Sequence, residues 1–197
     1  YTSHLWTHWR YTQDKEFLAK AFPVMWDCAK FWFHRLIEDR GFDSSKDEQQ
    51  SVRNYKPAYK FDPDGTFVAP NEFSAEQHDN QTEDGTAHAQ QMIYYLFQNL
   101  SDAIGILGVE NTGLSTEDVA TLNKYLEKTD KGLHTELYDA RSDKHRAWVD
   151  GRNGINKGDI ILREWKYSPY HVSDDPDHRH MSHLMALYPL TQIAPTS

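Results

Sequence analysis

The chain has 197 residues, enough for one domain with a real core, and a formal net charge of −9 that argues against a nucleic-acid backbone as partner. No apolar run approaches the roughly 20 residues that span a bilayer, so membrane insertion is not expected. The single cysteine, Cys28, excludes an intrachain disulfide. Six Trp and eleven Tyr bring the aromatic share to 13%, and flat rings with a polar tip suit both helix packing and the faces of sugars.

Tyr1 already lies within a helical pattern, with no initiator Met and no leader, and the chain reads as an excised piece of a longer polypeptide. Leu5, Trp6 and Trp9 mark a first helix that breaks at Thr12-Gln13-Asp14. Thr12 or Asp14 can cap the next turn, which carries Phe17 and Leu18. Pro23 suits a first turn, and from it Met25, Ala29, Trp32, Phe33 and Leu36 predict a helix stopped by Gly41.

Residues 43–72 change character. They are polar, interrupted by proline, and carry the turn signal Asp62-Pro63-Asp64-Gly65 before a short strand at Phe67-Val68-Ala69-Pro70. A long excursion of this kind inside a compact domain is disproportionately functional. A long helix follows over Thr86 to Leu107, with Met92, Ile93, Leu96, Phe97, Leu100 and Ile104 as its stripe and Gly108 as its end. Ser115-Thr116-Glu117-Asp118 opens another, with Val119, Leu122, Tyr125 and Leu126 at helical spacing. Residues 129–162 are mixed and punctuated by glycine, and a final helix is expected from His180 through Leu184, Leu187 and Tyr188. The absence of alternating strand and helix patterns excludes a parallel sheet and predicts an all-α chain of antiparallel helix pairs with long decorated loops.

Four constellations carry candidate chemistry. Pro70 to Gln77 offers Glu72 and Glu76 among small residues and an aromatic; a carboxyl held against apolar rings keeps its proton to higher pH, as a general acid must. The alternative is a solvated loop acid. Asp174 to Leu184 packs three acids, three histidines and an arginine into eleven residues. It reads as an internally paired cluster, as a base carboxylate kept ionised by Arg and His, or as a zinc trio of His178, His180 and His183 whose spacing is poor for one ion. His4 to Arg10 is either helix core with a polar edge or a sugar-stacking wall. Ile161-Leu162-Arg163-Glu164-Trp165 sets an acid beside a tryptophan just ahead of the Asp/His cluster and can line the same cleft.

At these residues the sequence resembles the catalytic domain of glycoside hydrolase family 95, which contains inverting α-L-fucosidases and some α-L-galactosidases. The blocks that carry the likeness are His4 to Leu18, Ala21-Phe22-Pro23-Val24-Met25, Val68 to Glu76, and Arg163-Glu164-Trp165 followed by Asp175 to Leu184. Leu187 to Ile193 fits as well, and the block from Asp175 is the most specific.

The resemblance implies an (α/α)6 toroid of which residues 1–197 form a central part. It implies that Glu76 is the general acid and that Asp175 assists the water, with Asp177 and Asp174 as the other carboxylates in reach of that role. His178, Arg179, His180 and His183 shape the sugar pocket, with His4, Trp9 and Trp165 as further substrate-binding residues. The partner is an oligosaccharide or polysaccharide, no metal or organic cofactor is needed, and the location is secreted or periplasmic. Three departures concern sugar specificity: Ser74-Ala75-Glu76 replaces the family's Ser-Pro-Glu, Ala89-Gln90-Gln91 stands where an Asp commonly precedes the Gln, and a long polar insert lies between Phe42 and Tyr55. The rival readings are a non-catalytic carbohydrate-binding helical domain, a metal-dependent hydrolase and a glycoside phosphorylase.

Overall fold

The computed structural model describes residues 1–43, 45–46, 60–74, 82–137, 158–168 and 180–194. Four helices form the frame: α1 (Thr2–Thr12), α2 (Lys15–Arg35), α3 (Ala87–Leu107) and α4 (Thr116–Lys128). Each boundary has a local cause. Gln13 takes the left-handed conformation (φ 56°) and its N–H returns to the Trp9 carbonyl, ending α1. Asp14 then caps α2 by accepting from the Phe17 N–H at 3.0 Å. Thr86 and Gly108 bound α3, and Ser115 and Asp118 form a reciprocal capping box on α4.

Two expected boundaries move. Pro23 lies inside α2 rather than at a helix start. Its missing N–H leaves the Ala19 carbonyl without an intrahelical donor, but both residues are exposed, so water serves the carbonyl. The helix also ends at Arg35, ahead of Gly41, because Ile37–Glu38 is drawn into a strand pair. Gly41 instead makes a turn at φ 68°, where a Cβ would stand 2.4 Å from the Phe61 carbonyl oxygen.

The helices share one apolar core. Trp6 and Trp9 of α1, Leu18, Phe22, Met25 and Ala29 of α2, Ile93, Leu96, Phe97 and Leu100 of α3, and Leu122 of α4 are buried together. The α3 helix is central, packing against α1, α2, α4 and the 3-10 turn Ser182–Ala186. That turn replaces the regular helix expected from His180; Pro189 follows closely and has no N–H to extend it.

The all-α expectation is corrected by four antiparallel strand pairs among the described residues. They are β1 (Ile37–Glu38) with β4 (Phe67–Val68), β2 (Phe42–Asp43) with β3 (Lys60–Phe61), β5 (Glu72–Phe73) with β6 (Thr82–Glu83), and β7 (Thr135–Leu137) with β8 (Ile160–Leu162). Strands of two or three residues are too short to show alternation in sequence, and they form because neighbouring excursions satisfy one another's backbone groups. One ion pair fastens them to the frame and a second ties the excursions together. Arg35 reaches Glu72 at 2.7 Å, joining the end of α2 to β5, and Arg40 reaches Asp84 at 2.7 Å, just after β6.

Candidate functional site

The segment Glu164-Trp165-Lys166-Tyr167-Ser168, directly after β8, is buried along its whole length. A run with two charged residues is buried only if those charges find partners. Each residue of the segment that carries a polar side chain does so.

Lys166, 4% exposed, sits among three acids. Its Nζ lies 2.8 Å from Asp64, 3.0 Å from Asp130 and 3.4 Å from Asp39, and donates to the Thr66 hydroxyl at 2.8 Å. Burial alone lowers the Lys166 ammonium, but the Asp130, Asp64 and Asp39 carboxylates outweigh it and raise the group above its ordinary value. Burial likewise raises Asp130, yet bonds from His134 and the Gly132 N–H, with the Lys166 charge, hold it below the usual carboxylate range. Asp64 is held low against its own burial by Lys166 and Thr66. The Tyr167 hydroxyl donates to Asp39. Glu83 of β6 accepts from the Tyr167 N–H at 2.6 Å and from the Ser168 hydroxyl at 2.5 Å.

Glu164, 7% exposed, heads the segment. The Ser74 hydroxyl, at the end of β5 and fully buried, donates to Glu164 Oε1. His183 Nδ1 lies 3.4 Å from Glu164 Oε2, an ion-pair distance without hydrogen-bond geometry. The Glu164 backbone carbonyl accepts from the Ala87 N–H at 2.9 Å, the first residue of α3. At the second residue of that helix, burial holds His88 below its ordinary value, partly offset by the charges of Glu164 and Glu72.

Two adjacent glutamines of α3 hold the surrounding loops. Gln90 accepts from the Ala69 N–H at 2.8 Å and donates to the Phe67 and Asp130 carbonyls at 3.1 and 2.9 Å. Gln91 donates to the Gly132 and His183 carbonyls at 2.8 and 2.9 Å and accepts from the Ala186 N–H at 2.8 Å. Gly132 must be glycine: at φ 67°, a Cβ there would stand 2.4 Å from the Ala87 carbonyl oxygen. A cleft of about 900 Å3 opens between the β2–β3 and β5–β6 pairs, where Phe61, Asn71, Asp84 and Tyr167 are among its described walls.

Glu76, Asp174, Asp175, Asp177, His178 and Arg179 lie outside the described residues. Their described neighbours in sequence do converge, since Ser74 and His183 meet at Glu164. Trp165 is buried in the same segment, and His180 is half-buried just ahead of the 3-10 turn. His4 stands apart, exposed on α1 with its ring edge-on to Tyr1, and Trp9 is packed in the apolar core at 6% exposure. Of the acid-and-tryptophan motif at 161–165, Glu164 proves the organising residue. Sequence reasoning missed Lys166, Asp39 and Asp130, and it named the two glutamines only as a departure from the family's pattern. For the glutamines one signal existed, two amides in sequence on the buried side of an otherwise apolar helix.

The family model for the Glycosyl hydrolase family 95 catalytic domain matches residues 1–197, and the chain belongs to that family. It is also 27% identical over 190 residues to the protein named Alpha-L-fucosidase 2 of Arabidopsis thaliana, a match that covers 95% of this chain. The chain spans 17% of the length of that relative.

Proposed function

We propose that residues 1–197 form part of the catalytic domain of an inverting glycoside hydrolase that releases a terminal α-L-fucosyl or related sugar from a glycan. The observation that carries this reading is the Glu164 junction. Ser74, two positions before Glu76, and His183, in the block that begins with Asp175, are bonded or paired to one carboxylate. Family membership and the likeness to a protein named as an α-L-fucosidase support it.

The chemistry follows the two-carboxylate scheme. Glu76 protonates the departing glycosidic oxygen, Asp175 polarises a water on the opposite face of the ring, and the anomeric configuration inverts. Asp177 is the fallback for the second role. His178, Arg179, His180 and His183 supply donors and charge to the sugar hydroxyls. The frame is proposed to be part of an (α/α)6 toroid. Val24 and Phe31 on α2 are 57% and 56% exposed, an apolar face that further helices of such a ring would cover.

The test uses the full-length protein on a panel of fucosylated and galactosylated glycans, with proton NMR to read the anomer first released. Glu76→Gln is expected to lower release from unactivated glycans by about a hundredfold or more. Full activity in that variant overturns the assignment. Binding without turnover by the unaltered protein favours a carbohydrate-binding domain.

A further inference from the structure

We infer that Glu164 is a positioning residue that registers the acid arm of the reaction against its water arm, and that Ser74 is the link through which it sets the acid. The inference rests on the proposed function.

The contacts of Glu164 run to three different elements. Through Ser74 it holds the end of β5, from which the chain runs directly to Glu76. Through His183 it touches the 3-10 turn that follows the Asp175–Arg179 block. Through its own backbone carbonyl it is fixed to the start of α3. Neither arm is free to shift alone. The β5 end is pinned by Arg35 on Glu72, and the 3-10 turn is pinned by Gln91, which bonds the His183 carbonyl and the Ala186 N–H. The Glu164 side chain touches both arms. A carboxylate suits that task, because one oxygen accepts from the Ser74 hydroxyl while the other faces the His183 ring at 3.4 Å. Burial keeps water from competing for those oxygens and strengthens both interactions.

A residue that merely stabilised the fold would slow all substrates alike. A residue that aims the acid acts on the step that needs a proton. Loss of the Ser74 bond is therefore felt most by substrates with poor leaving groups, which depend on proton donation, and least by those whose leaving group departs as an anion. A misplacement of about 1 Å costs up to about a hundredfold in rate.

The experiment compares kcat and KM of the full-length protein on an alkyl or glycosyl glycoside and on the matching dinitrophenyl glycoside or glycosyl fluoride. Ser74→Ala is expected to lower kcat on the poor leaving group by about tenfold to a hundredfold, with at least about tenfold less effect on the activated substrate. Its KM should move little. Ser74→Thr, which keeps the donor, is expected to recover most of the loss. Glu164→Gln keeps an acceptor for Ser74 but loses the charge facing His183, so it is expected to slow both substrates. Combining it with Ser74→Ala should give a loss on the poor leaving group smaller than the product of the two single losses. Equal losses on both substrates for Ser74→Ala, or strictly multiplicative losses in the double variant, overturn the inference. Glu76→Gln serves as the control. If it shows the leaving-group dependence and Ser74→Ala does not, the positioning inference fails while the hydrolase reading stands. If Glu76→Gln is fully active, the hydrolase reading itself has failed.

Discussion

Along much of its length α3 meets Phe22, Met25 and Leu122 through Ile93, Leu96, Phe97 and Leu100, a contact made of apolar surface alone. At its N-terminal end the same helix meets the 164–168 segment through the Ala87 N–H and the neighbouring loops through Gln90 and Gln91, a contact made of hydrogen bonds beside a buried ion cluster. Apolar burial is non-directional and tolerates repacking, so it sets which helices are neighbours. Buried ion clusters contribute little net stability but fix geometry, since removing one member strands the others. The first region makes the frame, and the second holds the loops in register where a reaction needs them.

The largest expected effect belongs to the apolar side. Phe97→Ala removes a fully buried ring that packs 5.2 Å from Phe33, and is expected to cost about 4 kcal/mol in urea unfolding. That loss should be the same at pH 4 and pH 7, because no titrating group is involved.

Lys166→Met breaks the other side. It leaves Asp39, Asp64 and Asp130 without their shared cation and is expected to cost about 3 kcal/mol at neutral pH. The sign of its pH dependence is fixed. Asp64 and Asp130 are depressed in the folded chain, so their contribution is complete above the ordinary carboxylate value near ~4 and is lost as pH falls through the folded value. Lys166 is raised, so its contribution is complete below about pH 10 and is lost only as pH rises past the folded value. The gap between the variant and the unaltered protein should therefore narrow on acidification below about pH 4. A gap that stays constant there would mean that the cluster is held by packing like the core.

The smallest effect tests how far local rules govern the frame. Pro23→Ala restores an N–H donor to the Ala19 carbonyl in mid-helix and is expected to stabilise by about 1 kcal/mol, the gain in helix being partly offset by a freer unfolded chain. A rise in melting temperature checks it.

This division also explains what the sequence disclosed. The stripe of α3, the Asp14 cap and the Ser115 capping box depend on residues within a turn or two of one another, and all three were legible, except that Met92, placed in the stripe, is 41% exposed. Pro23 was misread because its exposure, which makes it tolerable in mid-helix, is a tertiary fact. Lys166 finds Asp39, Asp64 and Asp130 across stretches of chain with no periodicity, so nothing local announces the cluster. The two-residue strands were invisible for the same reason. The likeness that singled out Glu76 and Asp175 works from residue identity, and Glu164 stood in its motif only as an acid beside a tryptophan. Its bonds to Ser74 and His183 needed the fold.

The separation of the two proposed catalytic carboxyls is the most direct test. In a crystal structure of the full-length protein with a sugar bound, Glu76 and Asp175 are expected to face each other across the ring, about 6.5–9.5 Å apart, with Glu164 joining their flanks. Carboxyls more than about 12 Å apart, too far for a single sugar and its water, would contradict the account.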